Sequence, residues 1–181
     1  MELMNYNPNV IKFNKLLISF TMKTLTDIDI EILSQILSNF GIEVCHIDLH
    51  AEIPGSYWGA PEAGIIKNQL FVRPDTPVHS ALHESCHYVC MDETRRNNLH
   101  TDTGGDYDEE NAVCYLQIVL ANHIPGLTQM MLCEDMDEWG YTFRLGSAKR
   151  WFLEDSNDAF DWLKHANILT TQKQPTWSLR Y

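Results

Sequence analysis

Val78-His79-Ser80-Ala81-Leu82-His83-Glu84-Ser85-Cys86-His87-Tyr88-Val89-Cys90 holds the pattern H-E-x-x-H at residues 83–87. Side chains four apart on a helix lie one above the other, so His83 and His87 can reach one metal ion together. Glu84 lies one residue round from His83, beside such an ion, where it can polarise a water. In a chain with 8 His among 181 residues, roughly 0.02 accidental matches are expected. The pattern therefore reads as chemistry, and the rest of the chain must supply what a zinc hydrolase needs.

Working outward, Thr76 and Pro77 predict the start of this helix, with threonine as cap and proline at the first helical position. Upstream, Gly64-Ile65-Ile66-Lys67 and Leu70-Phe71-Val72-Arg73 flank Asn68-Gln69 and predict a tight hairpin. Ile42 to Leu49 predicts a further strand. Residues 50–63, with Pro54, Gly55, Gly59 and Pro61, predict a loop whose Tyr57 and Trp58 either line a cleft or pack under the loop. Before it, Thr26 is expected to cap a helix carrying Ile28, Ile32, Leu33, Ile36 and Phe40, stopped by Gly41. Residues 1–22 are expected to form a loosely attached extension, with Met22 an alternative start.

Downstream, residues 92–107 predict a long polar loop. Asp106 and Glu109 have capping-box spacing at the head of a helix over about 108–122, whose apolar face runs through Ala112, Val113, Leu116, Val119 and Leu120. A third helix is expected over Leu127 to Trp139, ended by Gly140, and Ser147 and Ser156 are expected to cap two shorter ones. Together these predict one α+β domain over residues 23–181, a small mixed or antiparallel sheet packed on the H-E-x-x-H helix with several further helices.

A net charge of −12 argues against broad binding to nucleic acid or anionic membrane. Cys45, Cys86, Cys90, Cys114 and Cys133 form no disulfide framework and suit a reducing compartment. The apolar run Leu16 to Phe20 is too short for a signal peptide or a membrane span. A cytoplasmic protein is expected.

A catalytic zinc takes three protein ligands and a water. His79 shares the face of His83, but lies about 12 Å along the axis from His87, too far to share one ion. Glu93 lacks a glycine turn to bring it back, and His100 and His123 have no local pattern. Glu109 lies on the apolar face of the next helix, where a carboxylate is costly unless paired or ligating. Glu110 lines up instead with Cys114 and Gln117. The apolar-face argument favours Glu109 over Glu110 and leaves both open. Asp106 or Asp108 could orient a histidine. Cys90 shares the face of His83 and is expected to be a small core residue packing on the 108–122 helix, the alternative being a thiol near the metal that makes activity redox-sensitive.

A hairpin, H-E-x-x-H on a helix, and a second helix with an early glutamate resemble the gluzincin arrangement. Glu109-Glu110-Asn111-Ala112-Val113-Cys114-Tyr115-Leu116 resembles the E-x-x-A segment of ImmA/IrrE-type metallopeptidases, and the lead-in through Ile65-Ile66, Leu70-Phe71-Val72 and Ala81-Leu82 is similar to theirs. The resemblance covers residues 42–122. It implies a zincin-like domain with His83, His87 and Glu109 as ligands of Zn2+ and Glu84 as general base, acting on a peptide or protein substrate. An extended peptide would then lie along an edge strand, 64–67 or 70–73, and Tyr141 and Arg144 are the candidate donors to an oxyanion. The expectation is a zinc metallopeptidase of narrow specificity. The competing expectation is a zincin-like metal-binding protein with a regulatory or interaction role and no peptidase activity.

Overall fold

A computed structural model describes residues 22–181, so the expected extension lies, but for Met22, outside the described residues. Met22 is buried. The chain then runs along the start of the histidine helix: Leu25 N donates to Thr76 O at 3.0 Å and Val78 N to Lys23 O at 2.9 Å. Thr24 and Asp27 close a short 3-10 turn over Leu25–Asp27 and Ile28 stays extended. Helix α1 (Ile30–Ser38) therefore starts later than a Thr26 cap implies, because the Asp29 side chain takes the cap position and accepts Glu31 N.

Three strands, β1 (Glu43–His46), β2 (Gly64–Ile66) and β3 (Gln69–Val72), form a sheet in the order β1-β3-β2. β3 is parallel to β1 and antiparallel to β2, so the sheet is mixed. The hairpin turns on Lys67-Asn68, one residue earlier than the Asn68-Gln69 expected. Lys67 takes the left-handed conformation (φ 52°), and Asn68 is held against β1 by Glu43 N donating to Asn68 O at 2.8 Å. β3 is paired on both sides. The outward groups of β2 are also used: Ile65 N donates to Gly55 O at 3.3 Å, and Ile65 O accepts Thr101 N at 3.1 Å. Neither strand nominated as a seat for an extended peptide has the open edge such binding needs.

The described residues hold six further helices: α2 (Val78–Cys90), α3 (Glu93–Asn97), α4 (Tyr107–Ala121), α5 (Gln129–Trp139), α6 (Ala148–Glu154) and α7 (Asn157–His165). Every residue of α4 from Ala112 to Ala121 is buried. A helix buried on all sides has no solvent face, and α4 is the central post, packed between α2 and α7. Its start follows the expected cap, with Asp106 Oδ1 accepting Glu109 N at 2.9 Å. Gly140 stops α5 in the left-handed conformation (φ 105°).

The stretch 92–107 is more ordered than a polar loop. Asp92 caps α3 by accepting Arg95 N at 2.9 Å. Arg96 is buried, and its guanidinium donates to Tyr88 O and Met91 O, carbonyls that the end of α2 leaves without helical partners. It also holds Arg180 O at 2.9 Å, while Arg180 N donates to Val89 O at 3.0 Å. The irregular C-terminal residues are thus strapped to the end of the histidine helix. No described helix is long and apolar enough to cross a membrane.

Candidate metal centre

The one-turn spacing on α2 brings His83 Nε2 within 3.1 Å of His87 Nε2. The Glu110 carboxylate closes the triangle, with Oε1 3.5 Å from His83 Nε2 and Oε2 3.4 Å from His87 Nε2. Zinc ligands at about 2.0–2.1 Å in a tetrahedron stand about 3.3 Å apart. The three separations lie near that edge, the two to Glu110 running to different oxygens of its carboxylate, so this donor set could hold a metal ion. Among the described residues this is the one group of three or more such side chains close enough to hold a metal.

The expected third residue is not at this point. Glu109 is buried and turned away from the histidines, its carboxylate clamped by Arg95 (2.8 Å) and Arg180 (2.9 Å). The placement of the two glutamates is thus the reverse of the apolar-face preference, and the reason is plain in α4. All of its faces are buried, so an apolar line does not single out the side that meets α2. The cost of a carboxylate on the line of Glu109 is met by two arginines rather than a metal. The side facing α2 is the polar stripe Glu110, Cys114, Gln117, spaced at i, i+4 and i+7. Cys114 Sγ lies 3.9 Å from Glu110 Oε1.

Gln117 is the residue that sequence reasoning did not assign a role, although that stripe signalled it. Its side-chain oxygen lies 2.8 Å from His83 Nδ1. An amide oxygen only accepts, so Nδ1 carries the proton and the Nε2 lone pair faces the cluster. His87 has no such partner at Nδ1 and is held by packing; its burial, with His83 and Arg95 nearby, pushes its pKa well below the ordinary value. Glu84, beside the pair, has its pKa pushed up to about 8, first by burial and then by the Glu62 and Glu110 carboxylates.

The cluster opens into a cavity of about 310 Å³. Its walls come from Trp58 and Glu62 of the 50–63 loop, from His79, Ser80 and Glu84 of α2, and from Trp139 to Thr142 at the end of α5. Ala63 N donates to Ser80 Oγ at 3.0 Å, which pins the loop to α2. Trp58 thus lines a cleft as expected, and Tyr57 stacks edge-on against it while 62% exposed. Tyr141 packs on His83, ring centres 5.5 Å apart, and burial raises its pKa well above the ordinary value. Arg144, the other expected oxyanion donor, is exposed and paired with Asp155.

The remaining candidates stand elsewhere. His79 is fully buried against Trp139 and Tyr141, and burial, then His83, lowers its pKa to about 3. Glu93 and His100 are exposed, His123 packs against Trp177, Asp106 caps α4 and Asp108 is exposed. Cys86, Cys90 and Cys114 are buried free thiols whose pKa burial raises well above the ordinary value. No protein-family model, curated protein or solved structure matches the chain, so the site is read from its own geometry.

Proposed function

We propose that the chain is a zinc-dependent hydrolase, a narrow-specificity peptidase on a zincin-like domain of the kind the ImmA/IrrE resemblance implies. The observation that carries this reading is the triangle of His83 Nε2, His87 Nε2 and one Glu110 oxygen pair at 3.1, 3.4 and 3.5 Å, sized for one tetrahedral ion. Glu84 supports an enzyme over a purely structural site, since a structural zinc has no need of a free carboxylate beside its ligands.

Zinc, when bound, supplies Lewis acidity: it acidifies water and polarises a carbonyl. The chain's own residues do the rest. Gln117 keeps the His83 lone pair directed at the ligand position. Glu84 takes one proton from the attacking water as its oxygen bonds to the carbonyl carbon. It then returns that proton to the nitrogen as the carbon–nitrogen bond breaks, leaving an acid and an amine. Tyr141, on the cavity wall, would donate its hydroxyl hydrogen to the oxyanion. Five free cysteines favour a reducing, cytoplasmic setting for this chemistry.

A second reading, a metal-binding regulatory or interaction protein, draws on the engaged edge of β2, which removes the usual seat of an extended peptide. Metal analysis beside a peptide-library assay separates the two. The peptidase reading expects one zinc per chain, lost in His83→Ala and Glu110→Ala, retained in Glu84→Gln, and turnover abolished in all three. Zinc retained after His83→Ala would remove the site, and zinc binding without turnover on any peptide would leave the second reading.

A further inference from the structure

Resting on the zinc-site reading, we infer that Cys114 is a positioning residue of the site: its thiol donates to Glu110 Oε1 and so holds that carboxylate facing the two imidazoles. Three observations carry this. The first is the contact itself. Cys114 stands one helical turn beyond Glu110 on α4, and its Sγ lies 3.9 Å from Glu110 Oε1. An ionised carboxylate only accepts, so the proton on this line is the thiol's. Cys114 is a buried free thiol, and burial in apolar surroundings keeps a thiol protonated and therefore a donor.

The second is the company Oε1 keeps. Its nearest imidazole atom is His83 Nε2, at 3.5 Å, and Gln117 takes the His83 proton at Nδ1, so Nε2 turns a lone pair towards it. Two acceptors share no proton, and the thiol supplies the one that His83 does not. The third is the pattern on α4. Glu110, Cys114 and Gln117, at i, i+4 and i+7, lie along one side of the helix. Gln117 orients one ligand of the site from this stripe, and Cys114, between the two, does for the carboxylate what the amide does for the imidazole. Ligands of a metal are commonly held by such outer partners. A thiol is a weak donor and this contact is long, which places its effect at the low end for partners of this kind.

Two readouts on the full chain test this without any substrate. In the metal-free protein the S–H stretching band in the infrared, isolated for Cys114 by subtracting the spectrum of Cys114→Ser, is expected to move to higher frequency in Glu110→Ala, which removes the acceptor. Zinc affinity, read by competition with a chelator, is expected to fall about tenfold in Cys114→Ala and to stay within about threefold of wild type in Cys114→Ser. Serine and alanine are close in size and differ in the donor, so a thiol that only fills space predicts equal losses. Equal losses, or a Cys114 band at the same frequency with and without the Glu110 carboxylate, overturn the inference. In cobalt-loaded protein no sulfur-to-metal charge-transfer band is expected. One that disappears in Cys114→Ser would make the thiol a ligand and overturn the positioning role too. The zinc-site reading fails separately: wild type that binds no zinc refutes the site and the role together, whereas zinc bound beside an unmoved band refutes the role alone.

Discussion

Glu109 and Glu110 are neighbours in the first turn of α4, yet they stand in opposite environments. Glu109 is 3% exposed and closed off by Arg95 and Arg180. Glu110 faces two imidazoles on the cavity wall, and among the described residues no lysine or arginine is paired with it. A helix turns about 100° per residue, so adjacent carboxylates answer to different parts of the molecule. One carboxylate, saturated by guanidinium groups, is a structural clasp; the other is the carboxylate of the proposed metal site. The clasp ties α3, through Arg95, and the C-terminal strap, through Arg180, to the first turn of α4, the turn that also carries Glu110.

The sharpest way to break this contrast is to exchange the roles. Glu110→Gln is expected to weaken zinc binding by more than about 100-fold, since even outer partners of ligands cost 10- to 100-fold. Competition titration against a zinc chelator reads this, and Glu109→Gln in the same titration should stay close to wild type wherever the protein is folded. Denaturant unfolding should show the reverse order. Glu109→Gln leaves two guanidinium groups facing a neutral amide and should cost about 2–4 kcal/mol, below the largest values for buried pairs because both arginines are part-exposed. Glu110→Gln should cost little in stability without metal, because it relieves repulsion. Equal losses from the two variants would erase the distinction between clasp and donor.

Gln117 sharpens the donor side. Gln117→Leu removes the acceptor at His83 Nδ1, so zinc affinity should fall about 10-fold, with Gln117→Glu restoring it by accepting from the same proton. An unchanged affinity in Gln117→Leu would show that packing alone orients the ring.

Asp135 is a third environment, a buried carboxylate with neither arginines nor imidazoles. It accepts Lys23 N at 3.2 Å, and burial first raises its pKa to about 6. Since the folded state then holds the proton more tightly than the unfolded one, stability falls as pH rises from about 4 to about 6. Asp135→Asn should flatten that fall and leave the protein about 1–2 kcal/mol less pH-sensitive over this window. Parallel urea titrations at the two ends check it, and an identical slope in wild type and variant would refute it.

Much of this was readable along the chain because it is local. Two imidazoles four residues apart meet on any helix, Asp106 caps α4 from three residues away, and Gly140 ends α5 through its own backbone conformation. Composition and patterning likewise predicted an α+β chain with a small sheet, though Lys67 moved the hairpin turn by one residue and Asp29 moved the first helix start.

Tertiary structure decided the rest. Which face of an all-buried helix meets α2 is set by packing on every side, so the choice between Glu109 and Glu110 had no local answer. Arg180, 71 residues from Glu109, reaches it only because the C-terminal strap lies across the end of α2. The closing of the β2 edge by Gly55 and Thr101, and the orphaned ring of His79, likewise join segments far apart in sequence. Periodicity tells a helix where its stripes are; only the neighbours it packs against tell each stripe what it faces.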